Sequence, residues 1–198
     1  MCIRDRSNGI GAIADTSLRG TLVIEADSSL LEHIKIVQSD GKLRIFTENR
    51  ISKSSVIKVF LPIESISRIS VSSSASFKSE PIIEGKSLDL NLSSGGSVDF
   101  ELKTKDCRVD ASSGGVAKIR GETDKLTINI SSGGVVKGAS LWASSARVDG
   151  SSGGVTSIGV KDELKINLSS GSVLNYHGSP RIVSESISSG GVVKGSEK

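Results

Sequence analysis

A short motif, Ser-Ser-Gly-Gly, recurs in the second half of this chain and constrains its fold more than any other feature. It occupies residues 93–96, 112–115, 131–134, 151–154 and 188–191, and a variant ending in serine occupies 169–172. Successive copies begin 19, 19, 20, 18 and 19 residues apart. A degenerate copy, Ser-Ser-Ser-Ala, begins 21 residues before the first, at residue 72. Near-equal periods of this length are typical of repeat architectures.

The residues before each copy alternate between apolar and polar side chains. The place three residues before the motif holds Leu90, Val109, Ile128, Val148, Ile166 and Glu185, apolar in all copies but the last. A period of two is typical of a strand with one buried face. A second short run follows each motif, as in Val98-Asp99-Phe100. Each repeat therefore reads as strand, Ser/Gly corner, strand and corner.

A unit of about 19 residues cannot bury its own apolar face, whereas stacked copies can. We therefore predict an all-β, single-domain parallel β-helix, or β-solenoid, in which each strand pairs with its equivalent one repeat later. Glycine suits corners that need a positive φ, and serine can bond neighbouring backbone groups. An antiparallel meander with the same turns is the alternative, although its hairpins would favour Asn-Gly or Asp-Gly.

Three stretches of the chain differ in character. Residues 1–7 read as a non-native leader and are left out of the fold prediction. They show no signal peptide, which says nothing about the compartment because a native signal could have been lost. Residues 8–71 predict irregular strands that cap the rod, with a turn at Asp40-Gly41 and one helical turn within 27–32. Residues 72–198 predict the regular repeats, in one continuous domain with 8–71.

Composition narrows the classes of function. The 25 basic and 22 acidic residues are scattered, and a net charge of +3 predicts no nucleic-acid binding. No stretch approaches the roughly 20 apolar residues of a membrane span. Cys2 and Cys107 give no disulfide framework, and Cys107 alternates with apolar neighbours as a small buried residue does. We predict neither a metal site nor a cofactor.

A column of short polar residues stands two places before the motif: Asn91, Asp110, Asn129, Asp149, Asn167 and Ser186. Alternation turns these side chains outward, and a ladder of stacked amides is the simpler interpretation. A cation or glycan contact through Asp110 and Asp149 is the functional alternative. These two lie two repeats apart, about 10 Å by strand spacing, which is too far for one ion to bridge.

Two further features bear on ligand binding and catalysis. Trp142, Tyr176 and His177 are the candidates for stacking against a ligand, although corner packing or simple exposure also explains them. Residues 150–154 satisfy G-x-S-x-G, but they are one copy of the repeated corner and the chain has only two histidines. We therefore predict no catalytic residue, and keep Trp142, Tyr176, Asp110 and Asp149 as weak ligand-contact candidates.

The chain also resembles a known family. The repeated corners, the opening segment 20–34 and the closing segment 176–191 are similar to the putative auto-transporter adhesin, head GIN domain family, over about residues 8–198. The resemblance implies a right-handed β-helix and export to the periplasm or surface of Bacteroidota-type bacteria, or secretion. It also implies an adhesive or scaffolding role, and it supplies no catalytic residues.

These features predict a non-enzymatic module whose flat faces contact a cell-envelope protein, a glycan or another subunit. A polysaccharide-acting β-helix enzyme is one alternative, but it would need clustered carboxylates or a calcium site and long insertions that wall a groove. A self-associating spacer is another, because terminal coils can add strands from a second chain.

Overall fold

The chain is built almost wholly from strands. The computed structural model describes residues 2–4, 10–15, 17–18, 21–39, 42–47, 57–62 and 66–196. The strands are β1 (Cys2–Arg4), β2 (Ile10–Ala14), β3 (Val23–Glu25), β4 (Ile34–Ser39), β5 (Lys42–Thr47), β6 (Ile57–Leu61), β7 (Arg68–Ser72), β8 (Ser76–Ser79), β9 (Ile83–Leu92), β10 (Ser97–Ala111), β11 (Val116–Ile130), β12 (Val135–Gly150), β13 (Val155–Leu168), β14 (Val173–His177), β15 (Arg181–Ile187) and β16 (Val192–Ser196). The short helix α1 (Ser28–Leu31) lies where one helical turn was predicted.

Equivalent strands of successive repeats pair in parallel. Between β10 and β11 each residue meets the one 19 positions later, so that Cys107 lies opposite Leu126. The first part of β10 also pairs with β8 and its second part with β9, because one long strand spans both halves of a coil. The predicted β-solenoid is confirmed, with about 7 turns of about 19 residues.

The core consists of aliphatic columns that run along the rod. The buried members of two columns are Leu88, Cys107, Leu126, Ala146 and Leu164, and Leu90, Val109, Ile128, Val148 and Ile166. Phe77 and Phe100 add an edge-to-face pair with ring centroids 5.9 Å apart. Glu185, the charged exception in the second column, belongs to β15, which is exposed along its whole length. Its carboxylate is therefore not buried.

Each Ser/Gly corner is a tight turn with two residues in the left-handed region. In the first copy Ser94 has φ 49° and Gly95 has φ 74°. The Gly96 N–H donates to the Ser93 carbonyl at 2.9 Å. Positive φ at both central places is the pattern of a type I′ turn, and both values recur in the other five copies. The second serine of each motif thus adopts a conformation that is uncommon for a residue with a Cβ.

Hydrogen bonds between coils continue through the corners. The Gly95 N–H donates to the Ser113 carbonyl of the next coil at 3.1 Å, and the following four corners repeat this bond at 3.0–3.2 Å. The last place of the motif packs on the preceding coil: a Cβ at Gly96 would lie 2.3 Å from the Val71 carbonyl oxygen. A side chain is therefore excluded there unless the preceding coil makes room.

The first part of the chain is less regular. β2 pairs in parallel with β6 and β8, whereas β3 pairs with β6 antiparallel. β4 and β5 form an antiparallel pair, and the predicted turn between them, Asp40-Gly41, lies outside the described residues. Residues 2–4, which the fold prediction left out, form β1 between β5 and β7. The non-native origin of residues 1–7 stays a prediction.

Candidate functional site

A groove of about 610 Å³ runs beside the Ser/Gly corners across five coils. We call it the Asx groove. Its polar lining comes from the outward column of Asn91, Asp110, Asn129, Asp149 and Asn167, and from the corner residues Ser93, Ser112, Ser131, Ser151 and Ser169. Strand alternation turns the column outward, and the tight turn that follows brings the first serine of each motif alongside it.

Each aspartate of the Asx groove is held by an arginine two residues earlier in its own strand. Arg108 Nε donates to Asp110 Oδ2 at 2.9 Å, and Arg147 Nε donates to Asp149 Oδ2 at 2.6 Å. The i, i+2 spacing places both members of a pair on the outer face. The hydrogen bond from Arg147 holds the pKa of Asp149 below its usual value, and the aspartates raise the pKa of both arginines. Asp149 is therefore ionised at neutral pH.

An asparagine of the following coil contacts each aspartate. Asn129 Nδ2 donates to Asp110 Oδ1 at 2.6 Å, and Asn167 Nδ2 donates to Asp149 Oδ1 at 3.2 Å. The column is therefore two Asp–Asn pairs rather than a uniform ladder of amides. These contacts hold both carboxylates in a defined orientation.

The described residues contain no group of three or more His, Cys, Asp or Glu side chains that could hold a metal ion. Asp110 and Asp149 are separated by the intervening coil that carries Asn129. On the other half of the coil, Asp99 accepts hydrogen bonds from Lys118 Nζ at 3.0 Å and from Arg120 Nη1 at 2.6 Å. These two contacts, Arg120 first, lower the pKa of Asp99. This carboxylate too is engaged by cations of its own chain.

The structure brings together two of the three ring side chains considered as stacking candidates. The rings of Trp142 and His177 meet edge to face, with centroids 4.6 Å apart, where the pairing of β12 with β13 shifts register. Tyr176 faces the other way by alternation and packs on the core. A Cβ at Gly195 would lie 2.6 Å from the Tyr176 hydroxyl, so this ring covers the glycine of the next coil.

Cys107 is buried with a free thiol. Burial, with a smaller contribution from Asp89, raises the pKa of this thiol to about 12. The thiolate is the reactive form of cysteine. Cys107 is therefore a core residue, as its alternation predicted.

Sequence reasoning missed a column of outward valines that begins directly after the corners. Val116, Val135, Val155, Val173 and Val192 lie opposite one another in successive coils. We call them the valine column. Their signal was visible, because valine follows the motif in five of its six copies. Strand alternation places these residues on the face opposite the core.

The fold and these surfaces define a β-solenoid of stacked repeats whose outer columns are mostly polar. The chain belongs to the family described as "Putative auto-transporter adhesin, head GIN domain", whose sequence profile matches residues 6–180. No curated protein matches the chain in sequence.

Solved structures share the fold. A putative adhesin from Bacteroides fragilis has a TM-score of 0.80 and 19% identity over 100% of this chain and 91% of its own. A putative lipid binding protein from Parabacteroides distasonis has a TM-score of 0.65 and 19% identity over 98% of this chain and 91% of its own. A putative adhesin from Parabacteroides merdae has a TM-score of 0.64 and 16% identity over the same shares. At these identities the likeness shows the fold.

Proposed function

We propose that this chain is a non-enzymatic binding module of the bacterial cell envelope, with the Asx groove as its main ligand-contact surface. The groove carries the proposal because it repeats polar side chains over five coils at about 4.8 Å. Its carboxylates are already fixed by arginine and asparagine contacts. A prearranged surface loses less entropy when it binds. An extended polar partner that runs along the rod, above all a glycan, matches this arrangement.

The family description supports an adhesive role for the chain. It names an adhesin, and two of the structural relatives above are titled putative adhesins. For such a role we expect the protein in the periplasm, at the cell surface or outside the cell. Within the described residues, no helix has the length and apolarity needed to cross a membrane.

The environment of the groove aspartates supports binding rather than polysaccharide hydrolysis. A glycosidase uses a pair of carboxyl groups, one of them a general acid with a raised pKa. The pKa of Asp149 is instead lowered by Arg147, and Asp110 is engaged by Arg108 and Asn129. Polysaccharide cleavage by the purified chain that is lost in Asp110→Asn or Asp149→Asn would establish the enzyme alternative.

A glycan array combined with a pull-down from bacterial envelope extract tests the proposal. Asn129→Arg puts a long side chain into the middle of the groove, and Asn175→Arg makes the same change on the other half of the coil, in β14. We expect saturable binding to at least one glycan or envelope component, lost in Asn129→Arg and kept in Asn175→Arg. The absence of any saturable partner for the unaltered chain would reject the proposal, as would equal loss in both variants.

Lipid binding is a second candidate, and the valine column favours it. The column is an apolar stripe about 19 Å long by strand spacing, and the neighbouring outward column holds Lys118, Lys137 and Lys194. One structural relative is described as a putative lipid binding protein. Cosedimentation with phosphatidylglycerol vesicles that is abolished by Val135→Thr and Val155→Thr would support this candidate. Equal sedimentation with phosphatidylcholine vesicles, or no sedimentation, would reject it.

A further inference from the structure

Trp142, the only tryptophan of the chain, rests on glycine backbone of the next two coils. A Cβ at Gly159 would lie 2.8 Å from Trp142 Cδ2, and one at Gly178 would lie 3.4 Å from Trp142 Cζ3. His177, the partner of Gly159 in the coil after that, supports the ring by its edge-to-face contact. A side chain at Gly159 would displace the ring. The orientation of Trp142 is therefore fixed by residues of the following two repeats.

Irregular strand pairing surrounds Trp142. β12 and β13 pair regularly as far as Gly138 and Ile158, but Trp142 is the next residue of β12 to find a partner, Gly159. A second shift follows between Ala143 and Ser145. Irregularities of this kind re-aim side chains and are frequent beside functional sites. Here they place the indole in an outward column, opposite the charged Glu122 of the preceding coil.

A depression of about 260 Å³ lies against Trp142 and the neighbouring coils on both sides. Its lining includes Lys103, Lys105 and Lys161, two carboxylates, Glu122 and Asp124, and the hydroxyl-bearing Ser144. Among the described residues none of these three lysines forms an ion pair, whereas Arg108, Lys118, Arg120 and Arg147 all do. The depression therefore combines an aromatic wall with three lysines and two carboxylates, which leaves one net positive charge.

We propose that this depression binds a sugar ring that carries a carboxylate or a sulfate, as in an acidic polysaccharide. The indole offers a rigid apolar surface to the C–H face of the sugar. The three lysines pair with the acidic group, and Glu122 and Asp124 accept hydrogen bonds from sugar hydroxyls. Packing of the indole over Gly159 accounts for the position of the ring. It does not account for the three lysines beside the ring, none of which forms an ion pair among the described residues. The site is separate from the Asx groove, so it goes beyond the function proposed above and can fail without it.

Tryptophan fluorescence tests the site directly, because Trp142 is the sole source of indole emission. The full chain is titrated with oligomers of galacturonate, alginate and chondroitin sulfate at about 0.15 M ionic strength, where long-range charge effects are screened. We expect a saturable change in emission with at least one of them. The uncharged galactose oligomer is expected to bind at least about tenfold more weakly, because it lacks the charge-assisted contacts. Equal affinity for the uncharged oligomer would overturn the proposal.

Matched variants separate the site from general electrostatics. Lys103→Gln, Lys105→Gln and Lys161→Gln together are expected to weaken binding about tenfold. Lys78→Gln, Lys137→Gln and Lys194→Gln together remove the same charge from the other face and are expected to leave affinity within about twofold.

Trp142→Ala, followed by calorimetry, is expected to abolish binding, with circular dichroism as the check on folding. The proposal is overturned by equal loss in both triple variants, by no saturable binding to any of the three acidic oligomers, or by tighter binding of oligothymidylate.

Discussion

The side chain of Ser172 occupies the space that Gly150 leaves open in the preceding coil. A Cβ at Gly150 would lie 3.2 Å from both Cβ and Oγ of Ser172, and 2.7 Å from Leu168 Cδ2. In the other corners the roles are reversed: glycine ends the motif, and a larger residue such as Leu92 lies beneath it. The Ser172 hydroxyl, fully buried, donates to the Ser169 carbonyl at 2.8 Å. Gly150 is smaller than its equivalents in the other repeats, and Ser172 is larger than the glycine that ends the other motifs. The two differences therefore compensate each other.

A double-mutant cycle tests this compensation. Gly150→Ala is expected to lower the free energy of unfolding by about 1–3 kcal/mol, because the added methyl group overpacks against Leu168 and Ser172. Ser172→Gly removes the hydroxyl bond and is expected to cost about 1 kcal/mol. The double variant should be more stable than the sum of the single effects by at least about 0.5 kcal/mol. Urea unfolding measures all four proteins, and strict additivity would contradict the compensation.

Thr156 is a second exception inside the rod. It lies between Val136 and Leu174 in an inward column, is fully buried, and its Oγ1 has no hydrogen-bond partner among the described residues. Thr156→Val is expected to raise the free energy of unfolding by about 1 kcal/mol, because an unpaired buried hydroxyl is removed at nearly constant volume. Thr104→Val is the matched control, since Thr104 Oγ1 donates to Thr123 Oγ1 at 3.1 Å. Thr104→Val should lower the free energy of unfolding. If Thr156→Val lowers it as well, the assignment of an unpaired hydroxyl at Thr156 is contradicted.

The thiol of Cys107 should be inert in the folded chain. In a Cys2→Ser background, a disulfide reagent at pH 8 is expected to label nothing until urea unfolds the protein, because burial raises the pKa to about 12. The usual value is 9.0, so the unfolded chain releases this proton first as the pH rises. The free energy of unfolding should therefore fall between about pH 9 and 12, and this fall should be smaller in Cys107→Ala. Rapid labelling of the native protein would show that the site is open to solvent.

The pair of Arg147 and Asp149 should make stability depend on pH in the acid range. The pKa of Asp149 is lowered from 3.8 chiefly by Arg147, so the carboxylate stabilises the folded state above that value. That stabilisation is lost as the pH falls through the folded pKa. The difference in thermal midpoint between the unaltered chain and Arg147→Gln should therefore be present at pH 7 and shrink below pH 3.8. In an Asp149→Asn background the same substitution should have little effect at either pH.

The regular coils were predictable from sequence because the repeat fixes strand, corner and inward face locally. The pairing of Arg108 with Asp110 was also predictable, since outward residues at i and i+2 of one strand are neighbours. The contact between Trp142 and His177 was not, because it depends on the register shift after Gly138. Nor was the place of β1, since a strand of three residues carries too little pattern to select its partners.

The most direct test of the Asx groove as a ligand surface is a calorimetric comparison on one oligosaccharide selected from the glycan array. Three proteins are titrated: the unaltered chain, Asn129→Arg and Asn175→Arg. We expect the dissociation constant to rise at least about tenfold, or about 1.4 kcal/mol, for Asn129→Arg, and to stay within about twofold for Asn175→Arg. Unchanged affinity in Asn129→Arg, with the variant folded, would contradict the assignment of the groove.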